Sequence, residues 1–474
     1  TDRPAMLPVL AGSSDKRFVC LCEDVTVKDI TTAVGESFTD IQTLKRYTTA
    51  TMGPCQGRSC HASFVATAAS ALGCTPQDMG ATTARPTGAA VTLAQLAGPS
   101  HVPMKRTPMH QRQVDMGARM VELGPWERAH SFGPVLEEYR AVRDRVGLID
   151  VSSLGKIELR GSAVPAVLDK VYTGNMSNLR PGRIRYGVMC TDAGVIMDDG
   201  TVARLDTDKW LITTTSGNAE TIEQWLRWWA ADFPGDFWLT NLTGALGAIN
   251  LAGPKARESL EQVTDVDLRG RDSSYMRVVQ GRVAGVPAIL LRIGFVGETG
   301  WEIHCAADQS LHVWDSLLEA GHKYGIKAFG LEAQRVLRLE KGHIIVSQDT
   351  DSMTTPIEAG MEWAVRFSKP DFVGRAALLV KSEQDIPNRL VNFVMVDSDV
   401  PKDGEPVVIN REPVGRVTSI RYSPEVGRGM GLAWVPSNVS DPGCRFDVFS
   451  GGKLVVAQVA GEVAYDPSGE RLRQ

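Results

Sequence analysis

The hydrophobic pattern of this chain changes character twice, and each change marks a stretch that one core cannot share with the next. From Phe18 to about Gly73 the order is a cysteine pair, a helix, a second cysteine pair and a second helix. From about Val114 to about Lys381, helical stretches such as FGPVLEEYRAVRDRVG alternate with strand-like runs such as KIELRG, DKWLITTT and PAILLRIGFV. The last ninety or so residues carry short alternating strands, among them RLVNFVMV, EPVVI, EPVGRVTSI and KLVVAQVAG, cut by Gly, Pro and Asp turns. That is the pattern of a small antiparallel barrel. A chain of 474 residues is too long for one core. The expected architecture is therefore α+β in three parts: a small helical module over 1–100, a large α/β domain over 101–384 and a C-terminal antiparallel β-barrel over 385–474. Residues 1 to about 18 read as a linker, and TTARPTGAAVTLAQLAGPSHVPMKRTPMHQ, with no sustained period, reads as the connector after the first part.

Charge and composition narrow the function. The net charge is -5 and no basic run occurs, so neither nucleic acid nor an anionic membrane surface is an expected partner. The longest apolar run, GVPAILLRIGFVG, is short and broken by Arg292, so no membrane span is expected. The first residues lack the basic-then-apolar pattern of a secretory signal, which points to the cytoplasm. The chain starts at Thr1, as a trimmed product or the back part of a longer polypeptide would.

Four of the eight cysteines fall in two tight pairs: Cys20 and Cys22 in FVCLCEDVTV, Cys55 and Cys60 in MGPCQGRSCH. In a reducing compartment clustered cysteines read as metal ligands or redox groups. A CxC pair followed by Cx4C is not zinc-knuckle spacing. Its wider splay suits a two-iron rhomb better than one tetrahedral ion, although structural zinc, or reduced thiols with no metal, stays open. Gly53 and Gly57 let the backbone fold closely there, and Cys60 starts a helix whose positive end favours a thiolate. Thr26 with Asp29 forms a capping-box signature, and Thr75-Pro76 a second helix start. The segment CLCEDVTVKDI…LKRYTTATMGPCQGRSC resembles the bacterioferritin-associated-ferredoxin-like 2Fe-2S domain over about sixty residues. That resemblance implies Cys20, Cys22, Cys55 and Cys60 as ligands of a 2Fe-2S cluster.

Acidic motifs punctuate the large domain: GVIMDDGTVARL with Asp198 and Asp199, GFVGETGWEIH with Glu298, GLEAQRVLRLEKGH and DTDSMTTPIEAGMEW. Taken singly, paired Asp reads as a turn, the Gly-Glu-Thr-Gly loop as a hairpin and RLEKG as a solvated helix end. Together and in this order, over roughly 350 residues, they resemble the aminomethyltransferase (glycine-cleavage T-protein) family. The resemblance implies tetrahydrofolate binding, with Asp198 beside the folate N5 and N10 atoms as the catalytic acid. It also implies Glu298 on the pterin donor edge and Tyr186 and Trp363 lining the pocket. Those residue types suit the ligand, because a donor edge wants a carboxylate and a flat ring wants an aromatic wall. Gln334, followed by Arg335, stands where the glycine-cleavage enzymes carry arginine. With the upstream cysteines this points to a branch similar to the C-terminal half of heterotetrameric sarcosine oxidase α subunits.

No GxGxxG lies between a strand and a helix, so a flavin is expected on a partner subunit and not on this chain. The resulting expectation is the folate-binding and electron-transfer part of a multisubunit N-methyl amine oxidase or dehydrogenase. It would act with flavoprotein subunits and capture the oxidised one-carbon unit as 5,10-methylenetetrahydrofolate. Two rivals are a stand-alone folate-dependent demethylase and a zinc-stabilised scaffold subunit.

Overall fold

The structure is a computed structural model describing residues 16–84, Leu93, Leu96 and 104–474. The expected N-terminal linker and most of the expected connector lie outside the described residues. Two compact units make up the chain, residues 1–103 and 104–474. No helix among the described residues is long and apolar enough to cross a membrane.

In the first unit, β1 (Phe18–Cys20) and β2 (Val25–Thr26) pair antiparallel. Thr26 then caps the helix Val27–Gly35 in a full capping box with Asp29. Asp40 caps the helix Ile41–Thr48 through two backbone amides, and the helix His61–Leu72 ends on Gly73 at φ 69°. Thr75 and Pro76 open a further short helix, as the sequence led us to expect. Ile30, Ala33, Leu44, Phe64 and Ala68 form the core of this unit, and Cys20 and Cys60 are buried within it.

The second unit is built mainly from two facing sheets and a barrel. The five-stranded sheet runs β11 (Trp238–Asn241), β7 (Gly155–Arg160), β10 (Lys209–Thr214), β9 (Ile196–Arg204), β8 (Arg183–Cys190), with every pairing antiparallel. The six-stranded sheet runs β13 (Val278–Val283), β14 (Val286–Leu291), β15 (Gly300–Ala306), β12 (Leu246–Ala252), β6 (Gly147–Asp150), β16 (Lys327–Ala328). A small sheet of β3 (Lys105–Arg106), β5 (Trp126–Ser131) and β4 (Arg119–Leu123) precedes them in the chain. The barrel closes in the order β17 (Asn388–Met395), β20 (Arg428–Pro436), β19 (Glu412–Ser423), β18 (Pro406–Ile409), β21 (Arg445–Ser450), β22 (Lys453–Val459).

Strand alternation sorts the side chains of the two sheets into layers. Ile157, Val202 and Trp210 turn outward beneath the helices Val164–Val171 and Ala219–Ala230. Trp301, Ile303 and Cys305 turn outward beneath the helix Ser310–Gly321. Ile184, Ala203 and Leu211 of one sheet meet Val278 and Leu291 of the other, so the inner faces pack together.

Candidate functional site

Asp198 and Asp199 lie inside β9, not in a turn, and consecutive strand residues point to opposite faces. Asp198 shares a face with Val202 and, across the ladder, with Met189, both in the outer apolar cluster. It is fully buried; its Oδ2 accepts the Thr215 backbone amide at 3.2 Å and its Oδ1 has no partner. Burial, and then the neighbouring Asp199 charge, push its carboxyl up to about 7. Asp199 turns to the inner face instead, where the Tyr186 hydroxyl donates to its Oδ2 at 2.6 Å. Burial lifts Asp199 to about 6, and the Tyr186 hydrogen bond opposes the rise. Tyr186 stacks on the exposed ring of Trp363, centroids 5.5 Å apart at 25°. Tyr186 and Trp363, both expected as pocket lining, are thus brought together, and Asp199 joins them where Asp198 was expected.

The same inner layer carries a second polar group. Lys156 projects from β7 opposite Thr213, whose hydroxyl is 2.7 Å from that of Thr201. Its ammonium donates to the carbonyls of Ser152 and Leu154 at 2.7 and 2.8 Å. Burial draws Lys156 down to about 8, and attraction from Glu302 and Asp150 offsets part of that fall. Glu302 sits on β15 directly opposite Leu291 and Asn250, so it faces inward too.

Glu298, expected to read the pterin ring, is engaged elsewhere. Its Oε1 accepts Arg143 Nη1 at 3.1 Å and the Tyr465 hydroxyl, and Arg471 approaches Oε2 at 3.8 Å. Burial still raises its pKa despite these partners. Arg143 also pairs with Glu340 at 2.8 Å, so the RLEKG acid is a fully buried ion-pair member and not a solvated helix end. Gln334 lies half-buried on the helix Leu331–Glu340, and Arg335 turns to Glu332 at 3.2 Å. A cavity of about 500 Å³ opens where β9 begins, lined by Met197, Val346, Gln348, Asp351 and Arg416 among others.

In the first unit the cysteines stand as two pairs, each drawing one thiol from each motif. The Cys22 and Cys55 thiols influence one another, as do those of Cys20 and Cys60. Backbone amides of Ser59 and Gly57 help hold Cys55 down at about 7, whereas burial raises Cys60 to about 11. Cys20 and Cys55 each also act on the charge of Cys22 and of Cys60, so the four thiols are neighbours; among the described residues, no group of three or more His, Cys, Asp or Glu side chains stands at metal-binding spacing. The loop is nonetheless strained. Thr49, Thr51 and Gln56 adopt φ of 62°, 67° and 49°. A Cβ on Gly53 would lie 2.5 Å from Cys22 Cβ. Gly53→Ala is therefore expected to push the CxC strand away and lower the denaturation midpoint, at a cost of about 1–3 kcal/mol. A midpoint within error of the parent would show that the loop yields freely.

Three family descriptions match consecutive parts of the chain. They are the sarcosine oxidase A3 domain over residues 14–99, the GCVT N-terminal domain over 109–369 and the glycine cleavage T-protein C-terminal barrel domain over 388–466. Sarcosine oxidase subunit alpha of Corynebacterium sp. (strain P-1) is 34% identical across 96% of this chain, which spans 50% of that protein. The chain thus covers about half the length of such relatives. Aminomethyltransferase of Halothermothrix orenii is 33% identical across 75% of this chain and 98% of its own length. The crystal structure of glycine cleavage system aminomethyltransferase T from Bartonella henselae matches with a TM-score of 0.71 at 23% identity, covering 77% of this chain and 99% of that one. That likeness establishes the two-sheet and barrel architecture. With aminomethyltransferases aligned over nearly their whole length and both family domains in order, this chain belongs to the glycine cleavage T-protein family.

Proposed function

We propose that this chain is the folate-binding and electron-transfer part of a multisubunit, sarcosine oxidase-like N-methyl amine oxidase or dehydrogenase. The observation that carries the folate reading is the half-buried Tyr186–Asp199 pair on the inner face of the five-stranded sheet, stacked on Trp363. A flat reduced pterin needs an aromatic wall, an acceptor for its donor edge and a group that moves protons between its nitrogens. Trp363 and Tyr186 supply the wall. Glu302 fits the acceptor role better than Glu298, whose oxygens are already engaged. Asp199, lifted to about 6, can hold or release a proton near neutral pH. Asp198, raised to about 7 behind it, is protonated first as pH falls and so limits the charge the pair carries. Bound there, tetrahydrofolate would take up the one-carbon unit as 5,10-methylenetetrahydrofolate.

Cys20, Cys22, Cys55 and Cys60 would hold a 2Fe-2S cluster, which would carry electrons between flavins on partner subunits or out to an acceptor. Support comes from four thiols in two close pairs, the donor count of a two-metal centre. Gly53 also leaves no side chain between the loop and Cys22, and Gly57 lets the loop close on Thr51.

The test is turnover of an N-methyl amine by the complex purified with its natural partners. Tetrahydrofolate should divert the product from free formaldehyde to 5,10-methylenetetrahydrofolate. Formaldehyde release that tetrahydrofolate leaves unchanged would sink the folate reading. Two irons and two labile sulfides per chain are expected after anaerobic purification. Zinc alone, or no metal, would remove the electron-transfer role.

A further inference from the structure

The inner face of β15 holds a contact that the one-carbon chemistry above does not use. Glu302 and His304 are two residues apart on that strand and so lie on one face. His304 Nε2 donates to Glu302 Oε1 at 2.6 Å, with 0% and 9% of the two side chains exposed. Ala248 and Ile289 flank His304 across the two ladders, which leaves the ring between apolar neighbours. Its Nδ1 is buried without a partner. Among the described residues no hydrogen bond reaches the second carboxylate oxygen of Glu302. One oxygen is fixed and the other is free.

That asymmetry has a physical consequence. The last torsion of a glutamate is broad, so an unrestrained carboxylate would sample many orientations and could turn toward Lys156. A donor clamped on Oε1 removes that freedom before any ligand arrives, and an acceptor already in place spares the ligand the ordering entropy.

We propose that His304 is a positioning residue: it holds Glu302 so that the free carboxylate oxygen meets the exocyclic amino N–H of a flat heterocycle, of which a reduced pterin is the class fitted here. The proposal rests on the folate reading. Its test is equilibrium binding of 5-formyltetrahydrofolate, an oxidation-stable folate, to the whole complex. His304→Ala should weaken binding about tenfold, as loss of a hydrogen bond to a charged group does. His304→Gln, whose amide can donate from nearly the position of Nε2, should recover most of that loss. An analogue lacking the 2-amino group should bind the parent and the Ala variant within about twofold of each other, because the donor that uses the oriented oxygen is gone. Equal loss with both ligands, or no recovery in His304→Gln, would overturn the proposal in favour of a packing role. Parent-like folate binding by a folded His304→Ala complex would also overturn it while leaving the folate reading intact. Failure of the parent complex to bind folate would remove both.

Discussion

Asp199→Asn is expected, on the folate reading proposed above, to lower tetrahydrofolate-dependent one-carbon capture by about 10²–10⁴-fold, the range for loss of a positioned acid–base group, while amine turnover by the purified complex continues. Asp198→Asn should behave differently, although the two residues are adjacent in sequence. Its Oδ1 has no partner, and the amide that its Oδ2 accepts could be kept by an asparagine oxygen. What the substitution removes is a carboxyl that burial has raised to about 7. An acid whose folded pKa lies above its unfolded value binds more protons folded than unfolded, so stability is full below about pH 4 and falls as pH rises toward 7. Asp199, lifted to about 6, acts in the same direction over a narrower window. Asp198→Asn should therefore raise stability at pH 8 by about 2 kcal/mol relative to its effect at pH 5. Chemical denaturation at the two pH values checks this. If Asp198→Asn abolishes capture and Asp199→Asn does not, the assignment of roles is reversed.

The order of parts and many of the elements were legible, because they rest on local patterns that the tertiary structure had no reason to override. Barrel strands such as β17 and β22 alternate between buried and more exposed side chains, and the capping boxes at Thr26 and Thr75 stand where the residue spacing puts them. The site was legible in its residue types but not in their assignment. An Asp-Asp dipeptide does not announce which member turns to the inner face. That depends on β9 pairing with β8 in the register that sets Asp199 opposite Val188 and beside Tyr186. Glu298 drew notice because it is flanked by glycines, yet those glycines serve a turn into β15. A quieter signal lay four residues on. In GWEIH, polar Glu302 and His304 alternate with apolar Trp301 and Ile303, all four buried. A strand buried on both faces has no solvent side for its polar residues, so they must have partners or a ligand. For the cysteines, sequence supplied the donors, but only the β1–β2 hairpin and the strained loop show that the close pairs cross between motifs.

Arg143→Met should destabilise the second unit by about 3–5 kcal/mol, because it strands two buried carboxylates at once. The guanidinium gives Nη1 to Glu298 and to the Val296 carbonyl, and Nη2 and Nε to Glu340, at 2.7 to 3.2 Å. It also lies 3.6 Å from the centre of the Tyr465 ring. Tyr139 and Ser423 donate to Glu340, so the network joins the helix Val135–Asp144, the turn before β15, the helix Leu331–Glu340, the barrel and the tail that follows it. The loss should come mainly from charge left without a counter-ion and less from the missing methylenes. Adding Glu340→Gln to Arg143→Met should then recover part of the stability, whereas Glu340→Gln alone should destabilise. Glu298→Gln should be the mildest single change, since the amide still accepts from Tyr465. Urea denaturation of the four variants measures this directly. A double variant no more stable than Arg143→Met would mean that packing around Tyr139 and Tyr465, and not charge balance, holds these parts together.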